Sequence, residues 1–438
     1  MTPAQRRLAT ATALLATGVA SPAFAQTAKI DAADTAWMMG ATGLVLMMTI
    51  PGLALFYAGM VRKKNVLATM AQCMAATFLV SVLWAVVGYS LTFTGDGAFI
   101  GTLDRLFLSG MTMNSVSPFA KTIPECLFMI YQMTFAVITV ALVAGSVADR
   151  FRFSAFLLFC AFWLLLVYVP IAHWVWGGGF LGRDGVIDFA GGLVVHLSAG
   201  TAGLVAAYVV GKRRGYGSEN LSPYDLTLAV VGTGLLWVGW FGFNGGSALG
   251  ANARAAMAIT STHLAASAGA FTWMALEWWT RGKPSVLGMI SGAVAGLGTI
   301  TPASGFVMPM HGVLIGIIAG GICFWACTWL KLKLGYDDSL DVFGVHGIGG
   351  LTGTLLAGVF AAGALSATPE LPGGVSGLIE GNPRQVLIQL YGVLATLIWS
   401  GAATYIVLKI VGAIVPLRVR QEDEVMGLDV TQHGEALQ

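Results

Sequence analysis

Long runs of apolar residues alternate along this chain with short segments that carry most of its charged side chains. Most of the runs approach the ~20 residues that an α-helix needs to cross the hydrocarbon core of a bilayer. The eighth is short and is interrupted at the Thr301-Pro302 step. The pattern predicts an all-α polytopic membrane protein with eleven transmembrane helices, at about residues 36–60, 67–93, 122–147, 154–176, 190–210, 225–248, 256–280, 285–300, 309–330, 342–362 and 386–414.

The composition supports a membrane protein. Of the 438 residues, 56% are hydrophobic and 10% are charged, whereas a soluble domain carries roughly 25% charged residues. A soluble fold of this size is therefore excluded. The 58 glycines are typical of closely packed membrane helices, and the net charge of +2 gives no indication of a nucleic-acid partner.

The first 25 residues are typical of a secretory signal peptide. Arg6 and Arg7 form its basic region, residues 8–19 its apolar region, and Ala23-Phe24-Ala25 a small-residue cleavage site. An uncleaved first helix is the alternative, but the apolar region is shorter than a membrane span. We expect cleavage after residue 25, a membrane domain over 26–416 and a polar tail over 417–438.

Basic residues predict how the helices are oriented. Alternate loops are rich in lysine and arginine, and the loops between them are not, as the positive-inside rule requires. This alternation predicts an external N-terminus and a cytoplasmic C-terminus. The basic loops carry Arg62-Lys63-Lys64, Arg150 and Arg152, Lys212-Arg213-Arg214, Arg281 and Lys283, Lys331 and Lys333, and Arg418 and Arg420.

Two histidines occupy matching contexts in the fifth and tenth apolar runs. His196 and His346 each begin the pattern His, three residues, Gly, two residues, Gly, and each has an upstream aspartate, Asp188 and Asp341. Because five is an odd number, helices one to five and six to ten run in opposite directions. The sequence therefore predicts an inverted five-helix repeat plus one extra helix, with a site at the repeat interface.

A histidine at bilayer depth is a candidate functional residue, although a buried histidine can also be a hydrogen-bonded core residue. Burial favours the neutral imidazole, which offers one donor and one acceptor. Such a pair suits a small polar molecule or a proton relay better than a metal, which usually takes three or four ligands. His173 and His263 are further candidates that lie near helix ends.

Aromatic residues form a second group of candidates. Tyr131 and Phe135 are one helical turn apart, Trp176 precedes a glycine run, and Phe243 lies one turn before Ser247. These rings can form an interfacial aromatic belt or a site that attracts a cation. The upstream aspartate of the first histidine can likewise cap a helix or contact the substrate.

At these residues the chain resembles the ammonium transporter (Amt) family of the Amt/Rh superfamily, and in particular its bacterial members. The resemblance covers essentially the whole mature chain. It rests on several long motifs in the same order: Asp34-Thr-Ala-Trp-Met, Thr49-Ile-Pro-Gly-Leu-Ala-Leu-Phe-Tyr57-Ala-Gly, Arg62-Lys-Lys-Asn65, Asp188-Phe-Ala-Gly-Gly-Leu-Val-Val-His196, Trp240-Phe-Gly-Phe243-Asn244 and Asp341-Val-Phe-Gly-Val-His346-Gly.

The resemblance implies a role for each candidate residue. Ammonium recruitment would involve Phe135, Trp176 and Ser247, with Tyr131 at a vestibule position where close relatives can carry Phe. Two phenylalanines, Phe135 and Phe243, would form a gate, and His196 and His346 would line the pore. Asp188 would be mainly structural, with some influence on recruitment, and Asp341 would be its supporting counterpart.

The resemblance also implies a homotrimer in the bacterial cytoplasmic (inner) membrane, with one pore through each subunit and no cofactor or metal. The tail residues Gly427-Leu-Asp429 match a cytoplasmic tail motif, which favours docking over disorder. In bacterial relatives a PII-type nitrogen regulatory protein blocks the pore from inside, so we expect such a partner here.

The expected function is transport rather than an enzymatic reaction. Ammonium would lose a proton, and neutral ammonia would cross the apolar pore while the proton moves separately, so that transport is electrogenic. If the proton did not follow, the protein would conduct ammonia electroneutrally. One alternative is an ammonium sensor or receptor that signals through its tail with little flux. Another is a membrane redox enzyme with the two histidines as haem ligands.

Overall fold

The computed structural model describes residues 29–368 and 371–437, so the predicted signal peptide lies outside the described residues. Every one of the eleven predicted segments is helical. In chain order the helices are α1 Ala32–Met60, α2 Lys63–Phe93, α3 Glu125–Val147, α4 Phe153–Arg183, α5 Gly192–Val210, α6 Leu226–Gly246, α7 Ala253–Arg281, α8 Val286–Ile300, α9 Pro309–Leu334, α10 Phe343–Phe360 and α11 Arg384–Ile414.

The prediction of an all-α membrane fold is confirmed. The described residues form no β-strand, and nine of the eleven helices are long and apolar enough to cross a membrane. Helix α7 has 29 residues but is more polar than the nine, and α8 has only 15 residues. As the Thr301-Pro302 step indicated, α8 ends at Ile300. The count of eleven crossings therefore stays a prediction.

The helices run alternately between two ends of the bundle. At one end, which we call the Trp176 face, the N–H of Asp31 before α1 donates to Thr122 O before α3, and Asp34 Oδ1 accepts from Ala251 N before α7. The opposite end, the Asp341 face, carries the starts of the even-numbered helices. Helices α5 and α10 are consequently antiparallel, as an inverted repeat requires.

Basic side chains from the loops with high positive charge meet on the Asp341 face. Arg213 pairs with Asp337 at 2.8 Å and lies 3.7 Å from Asp149, which also accepts from Arg62. The guanidinium of buried Arg150 donates to several backbone carbonyl groups. Because these cations are paired or hydrogen-bonded, they join the ends of α2, α3, α5 and α9 into one network.

The tail packs against this face and does not extend away from it. Two short helices, α12 (Gln421–Met426) and α13 (Leu428–His433), follow α11. Glu424 pairs with Arg418 at 2.7 Å, and Asp429 Oδ1 accepts from Ala68 N at 2.8 Å, in the first turn of the α-helical segment Val66–Leu83 of α2. Asp429 therefore caps a helix that lies far from it in sequence.

Glycines allow the two histidine helices to touch. A Cβ built on Gly200 would meet backbone atoms of Gly347, and one built on Gly350 would lie 2.8 Å from Leu197 N and 2.9 Å from His196 Cβ. Only glycine fits such an approach without moving the backbone. The two glycines, each one turn after a histidine, thus bring α5 and α10 together beside both histidines.

Candidate functional site

Each histidine lies in a π-helical turn at the start of its helix. His196 belongs to the turn Gly192–Leu197 and His346 to the turn Phe343–Gly347. Single π turns inside or next to α-helices are frequent at functional sites, because they change the direction of side chains relative to a regular helix. The matching turns in the two halves of the chain extend the internal repeat from sequence to local geometry.

An aspartate caps each of these two helices. Asp188 accepts hydrogen bonds from four consecutive backbone N–H groups, those of Gly191, Gly192, Leu193 and Val194, at 2.7–3.2 Å. These are the donors that a helix start leaves without partners. On the opposite face, Asp338 Oδ2 accepts from Phe343 N at 2.7 Å. Of the two roles considered for Asp188, capping of a helix is the one that its contacts support.

The two histidines contact each other directly. His196 Nδ1 and His346 Nδ1 are 3.1 Å apart, and the two rings are nearly parallel, with an angle of 11° and centroids 5.2 Å apart. Trp240 also stacks with His196, at a centroid distance of 5.5 Å and an angle of 17°. Both imidazoles are buried. The pair is therefore fixed by contacts with its neighbours, while the Nε2 atom of His196 has no hydrogen-bond partner among the described residues.

Two phenylalanines separate this pair from the Trp176 face. Phe135 and Phe243 stack at a centroid distance of 4.2 Å and an angle of 22°. Phe135 also meets the edge of Trp176 at 5.8 Å, and Trp176 Nε1 donates to Asp188 O at 2.8 Å. The stacked rings are almost completely buried, so they close the path between the two regions.

Tyr131 and Ser247 lie beside the two stacked phenylalanines. Tyr131 is fully buried, and its hydroxyl lies 3.0 Å from Phe243 O, 3.1 Å from Gly242 O and 3.4 Å from Ser247 Oγ. Ser247 Oγ donates to Phe243 O at 2.8 Å. The tyrosine hydroxyl is thus hydrogen-bonded to the end of α6, the helix that carries Phe243.

Three cavities follow one another through the bundle. The first, of about 270 Å³, opens beside Trp176 and is lined by Gln132, Phe135 and Ser247. The second, of about 10 Å³, lies beyond Phe243 and is lined by apolar side chains and both histidines. The third, of about 220 Å³, includes Asp341 in its lining. His346 lines both the second and the third, so the pair stands where they meet.

The structure brings most of the predicted residues to this path, with two differences in detail. Tyr131 does not line the first cavity, and its hydroxyl donates a hydrogen bond to a backbone carbonyl group of α6. Asp341 pairs with Lys331 at 2.7 Å, while Asp338 holds the position that corresponds to Asp188. Sequence reasoning missed Asp338 and Gln132. For Asp338 a signal existed, because it precedes His346 by eight residues, as Asp188 precedes His196.

Comparison with known proteins agrees with this geometry. The model of the Ammonium Transporter Family matches residues 36–437. This chain belongs to the ammonium transporter family. It is 47% identical to a protein named ammonium transporter from Aquifex aeolicus, over 94% of this chain and 95% of that protein. A protein of the same name from Bacillus subtilis is also 47% identical, over 92% of this chain and 97% of its own length.

Solved structures of family members have the same fold. The crystal structure of Saccharomyces cerevisiae Mep2 superposes with a TM-score of 0.84 at 38% identity, covering 90% of this chain and 89% of Mep2. A structure described as a sensor Amt protein superposes with a TM-score of 0.82 at 28% identity, over 92% of this chain. The resemblance that the sequence motifs indicated is therefore confirmed at the level of family and fold.

Proposed function

We propose that this protein transports ammonium electrogenically, by taking the proton off the ion and passing neutral ammonia through the middle cavity. The observation that carries the proposal is the His196–His346 pair, joined at 3.1 Å between two cavities. The names of its relatives, which are ammonium transporters, support the same substrate. No enzymatic step is involved, since nothing is converted into a new covalent product.

Recruitment takes place in the first cavity. The face of Trp176 and the ring of Phe135 attract a partly desolvated cation, an interaction of about 2 kcal/mol or more. Ser247 adds a hydroxyl oxygen that can accept a hydrogen bond from an N–H of the ion. Tyr131 contributes from behind the gate by holding the end of α6, which keeps Ser247 and Phe243 in register.

The stacked Phe135 and Phe243 rings then act as an apolar gate. A charged ion between these rings would lose its hydration without gaining hydrogen bonds, which is strongly unfavourable. Ammonia has no charge and therefore meets a lower barrier. Potassium has no proton to lose, so the gate excludes it although its size is similar.

The histidine pair relays the proton. Since the two Nδ1 atoms share one hydrogen, one ring donates through Nδ1 and has a bare Nε2, while the other accepts and carries its hydrogen on Nε2. The ion gives up its proton in the first cavity, before the gate. When that proton reaches the bare His196 Nε2, His196 passes its Nδ1 hydrogen to His346 Nδ1, and His346 releases its Nε2 hydrogen into the third cavity. This transfer leaves the His196 hydrogen on Nε2 and the His346 hydrogen on Nδ1.

The remaining expectations describe the setting of this transport. We place the Asp341 face in the cytoplasm of a bacterial inner membrane, because the basic loops meet there, and the protein in a homotrimer with one pore per subunit. A PII-type nitrogen regulatory protein would bind this face and close the third cavity, where the packed tail supplies a docking surface. Fusion of a periplasm-dependent reporter to residue 438 would be inactive in this orientation.

The direct test of transport is an electrical recording on proteoliposomes that contain the purified protein. A pulse of ammonium is expected to give a saturable current, whereas equal pulses of potassium and protein-free vesicles give none. Ammonia-driven changes of internal pH without a current would instead indicate an electroneutral pore. Ammonium binding without either signal would support a receptor and contradict the proposal.

A further inference from the structure

A short segment that includes the last two residues of α2 and the loop after it is fastened to the end of α4 through its backbone carbonyl groups. We call residues 92–99 the carbonyl strap. Its acceptors receive hydrogen bonds from side chains and backbone of the residues that precede and follow Trp176. The bonds are those from the His173 ring to Thr92 O and Gly97 O, from Trp174 Nε1 to Phe99 O, from Phe180 N to Ala98 O, and from Arg183 Nη2 to Asp96 O.

His173 makes two of these contacts and has no role in the transport steps above. Its ring is fully buried, with Nδ1 2.8 Å from Thr92 O and Nε2 2.7 Å from Gly97 O. Both partners are carbonyl oxygens, which only accept. A neutral imidazole has a hydrogen on one nitrogen only, so it would leave the other nitrogen facing an oxygen, lone pair to lone pair.

The position of His173 in its helix favours a positive charge independently of these two contacts. It lies in the last turn of the α-helical segment Val169–Trp176. The carbonyl groups at a helix C-terminus carry partial negative charge and stabilise a cation there. Two carbonyl acceptors in short contact with the ring add to this effect, because hydrogen bonds from a charged donor are the stronger ones.

The backbone carbonyl of His173 accepts the hydrogen bonds that end this helical segment after Trp176. The N–H groups of Gly177 and Gly179 both donate to His173 O, at 3.0 and 2.9 Å, so the chain turns back immediately after Trp176. A Cβ built on Gly177 would lie 2.8 Å from His173 Nδ1 and would also strike Thr92 O. The imidazole is thus packed between the strap and the turn that follows Trp176.

We propose that His173 is a buried imidazolium that donates from both ring nitrogens to the carbonyl strap, and that it is the positioning residue for Trp176. The first part stands on the contacts of His173 alone. The second part rests on the proposed function, since it assigns Trp176 to ammonium recruitment. The two N–H donors of His173 fix the strap against the turn that directly follows Trp176, and so fix the backbone that carries Trp176.

The charge state is tested on the wild-type protein in lipid at pH 7, with ¹⁵N-labelled histidine and solid-state NMR. The His173 signals are identified by backbone connectivity and by their loss in His173→Asn. Two protonated ring nitrogens are expected, each close to a carbonyl carbon. One protonated and one bare nitrogen would overturn the proposal. This measurement does not depend on transport, so it is decisive even if the wild type carries no ammonium current.

The positioning role is tested with ammonium currents from His173→Asn and His173→Gln. In each variant the side-chain amide can donate to one of the two carbonyl groups that His173 contacts, but not to both. His311→Asn, which changes a histidine stacked on Phe360, is the matched control. Loss of one charged hydrogen bond is expected to raise the half-saturating ammonium concentration about tenfold, with little change in maximal current per folded protein. A lower maximal current at unchanged half-saturation would indicate a merely structural residue and contradict the proposal.

Discussion

Gly200 packs directly against Gly347, so that the helix of His196 crosses the helix of His346 beside both imidazoles. The contact involves backbone atoms on both sides, which cannot rotate away as a side chain can. The Nδ1–Nδ1 contact of 3.1 Å depends on this crossing, because each histidine lies within one turn of it. The separation of the two helices and the geometry of the pair are therefore coupled.

Substitution of Gly200 by alanine is expected to separate the helices. The added methyl group would overlap the Gly347 backbone, and overpacking of this kind costs about 1–3 kcal/mol. Thermal unfolding of the purified protein in detergent should occur at a lower temperature than for the wild type, and the ammonium current should fall. Gly234→Ala is the control, since a Cβ there meets no atom within 4 Å. Equal effects of the two substitutions would contradict the account.

Substitution of Tyr131 by phenylalanine removes one hydroxyl and keeps the ring that packs on Phe135 at 5.1 Å. The Tyr131 hydroxyl bonds to the end of α6, so its loss should cost about 1 kcal/mol of stability and raise the half-saturating ammonium concentration. Unfolding temperature and concentration-dependent currents measure the two effects. Tyr405→Phe, at a half-exposed position, should change neither. An unchanged half-saturation in Tyr131→Phe would exclude a role at the gate.

Stability at acidic pH is expected to depend on Asp337. Burial alone would raise its pKa, but the hydrogen bonds and charge of Arg213 outweigh burial and hold the pKa of Asp337 below its usual value. Its contribution to stability is thus present above about pH 3.9, the value for an unperturbed aspartate, and is lost as pH falls through the lower folded pKa. The unfolding temperature should therefore drop as pH is lowered from about 5 to about 3.

Asp337→Asn serves as the comparison for this acid effect. At neutral pH it leaves the buried Arg213 with weaker compensation, and breaking such a pair costs about 3 kcal/mol or more. Because the variant no longer has the carboxylate, its unfolding temperature should fall less steeply than that of the wild type over the same acid range. Parallel pH profiles of the two proteins would show that other groups determine the acid sensitivity.

Release of the tail is expected when Asp429 is replaced by alanine. The substitution removes the acceptor for Ala68 N, and loss of such a cap costs about 1 kcal/mol. Limited proteolysis should then cleave the segment after residue 416 faster than in the wild type. Glu435→Ala removes an exposed carboxylate from the same tail and should leave the cleavage rate unchanged. If Asp429→Ala is cleaved no faster, the tail is held by its other contacts.

Local pattern was sufficient to predict the helices. The apolar runs indicated all eleven segments, with ends that agree within four residues except at the end of α4, since crossing length and apolar composition are local properties of the chain. The repeated His, Gly and Gly spacing indicated that two distant helices belong together. In the structure Gly200 and Gly350 lie at the contact between these two helices. Because they lack a Cβ, they permit the close approach that glycines one turn from each histidine indicated.

Contacts between distant residues were not predictable in the same way. The pairing of Arg213 with Asp337 spans 124 positions, and no local pattern connects these two residues. The hydroxyl contacts of Tyr131 depend on how α3 and α6 are rotated about their axes. Asp338 was missed because Asp341 is nearer to His346 in sequence, although the eight-residue spacing shared with Asp188 was a usable signal.

In the proposed mechanism the two histidines together carry the proton and enforce selectivity, so removal of one of them should change the ions that carry current. Currents from proteoliposomes are recorded with ammonium and with potassium for the wild type, His196→Ala and His263→Ala, the last changing an exposed histidine on α7. We expect His263→Ala to behave as the wild type, and His196→Ala either to lose the ammonium current or to admit potassium. An ammonium current of wild-type size without potassium current in His196→Ala would contradict the account.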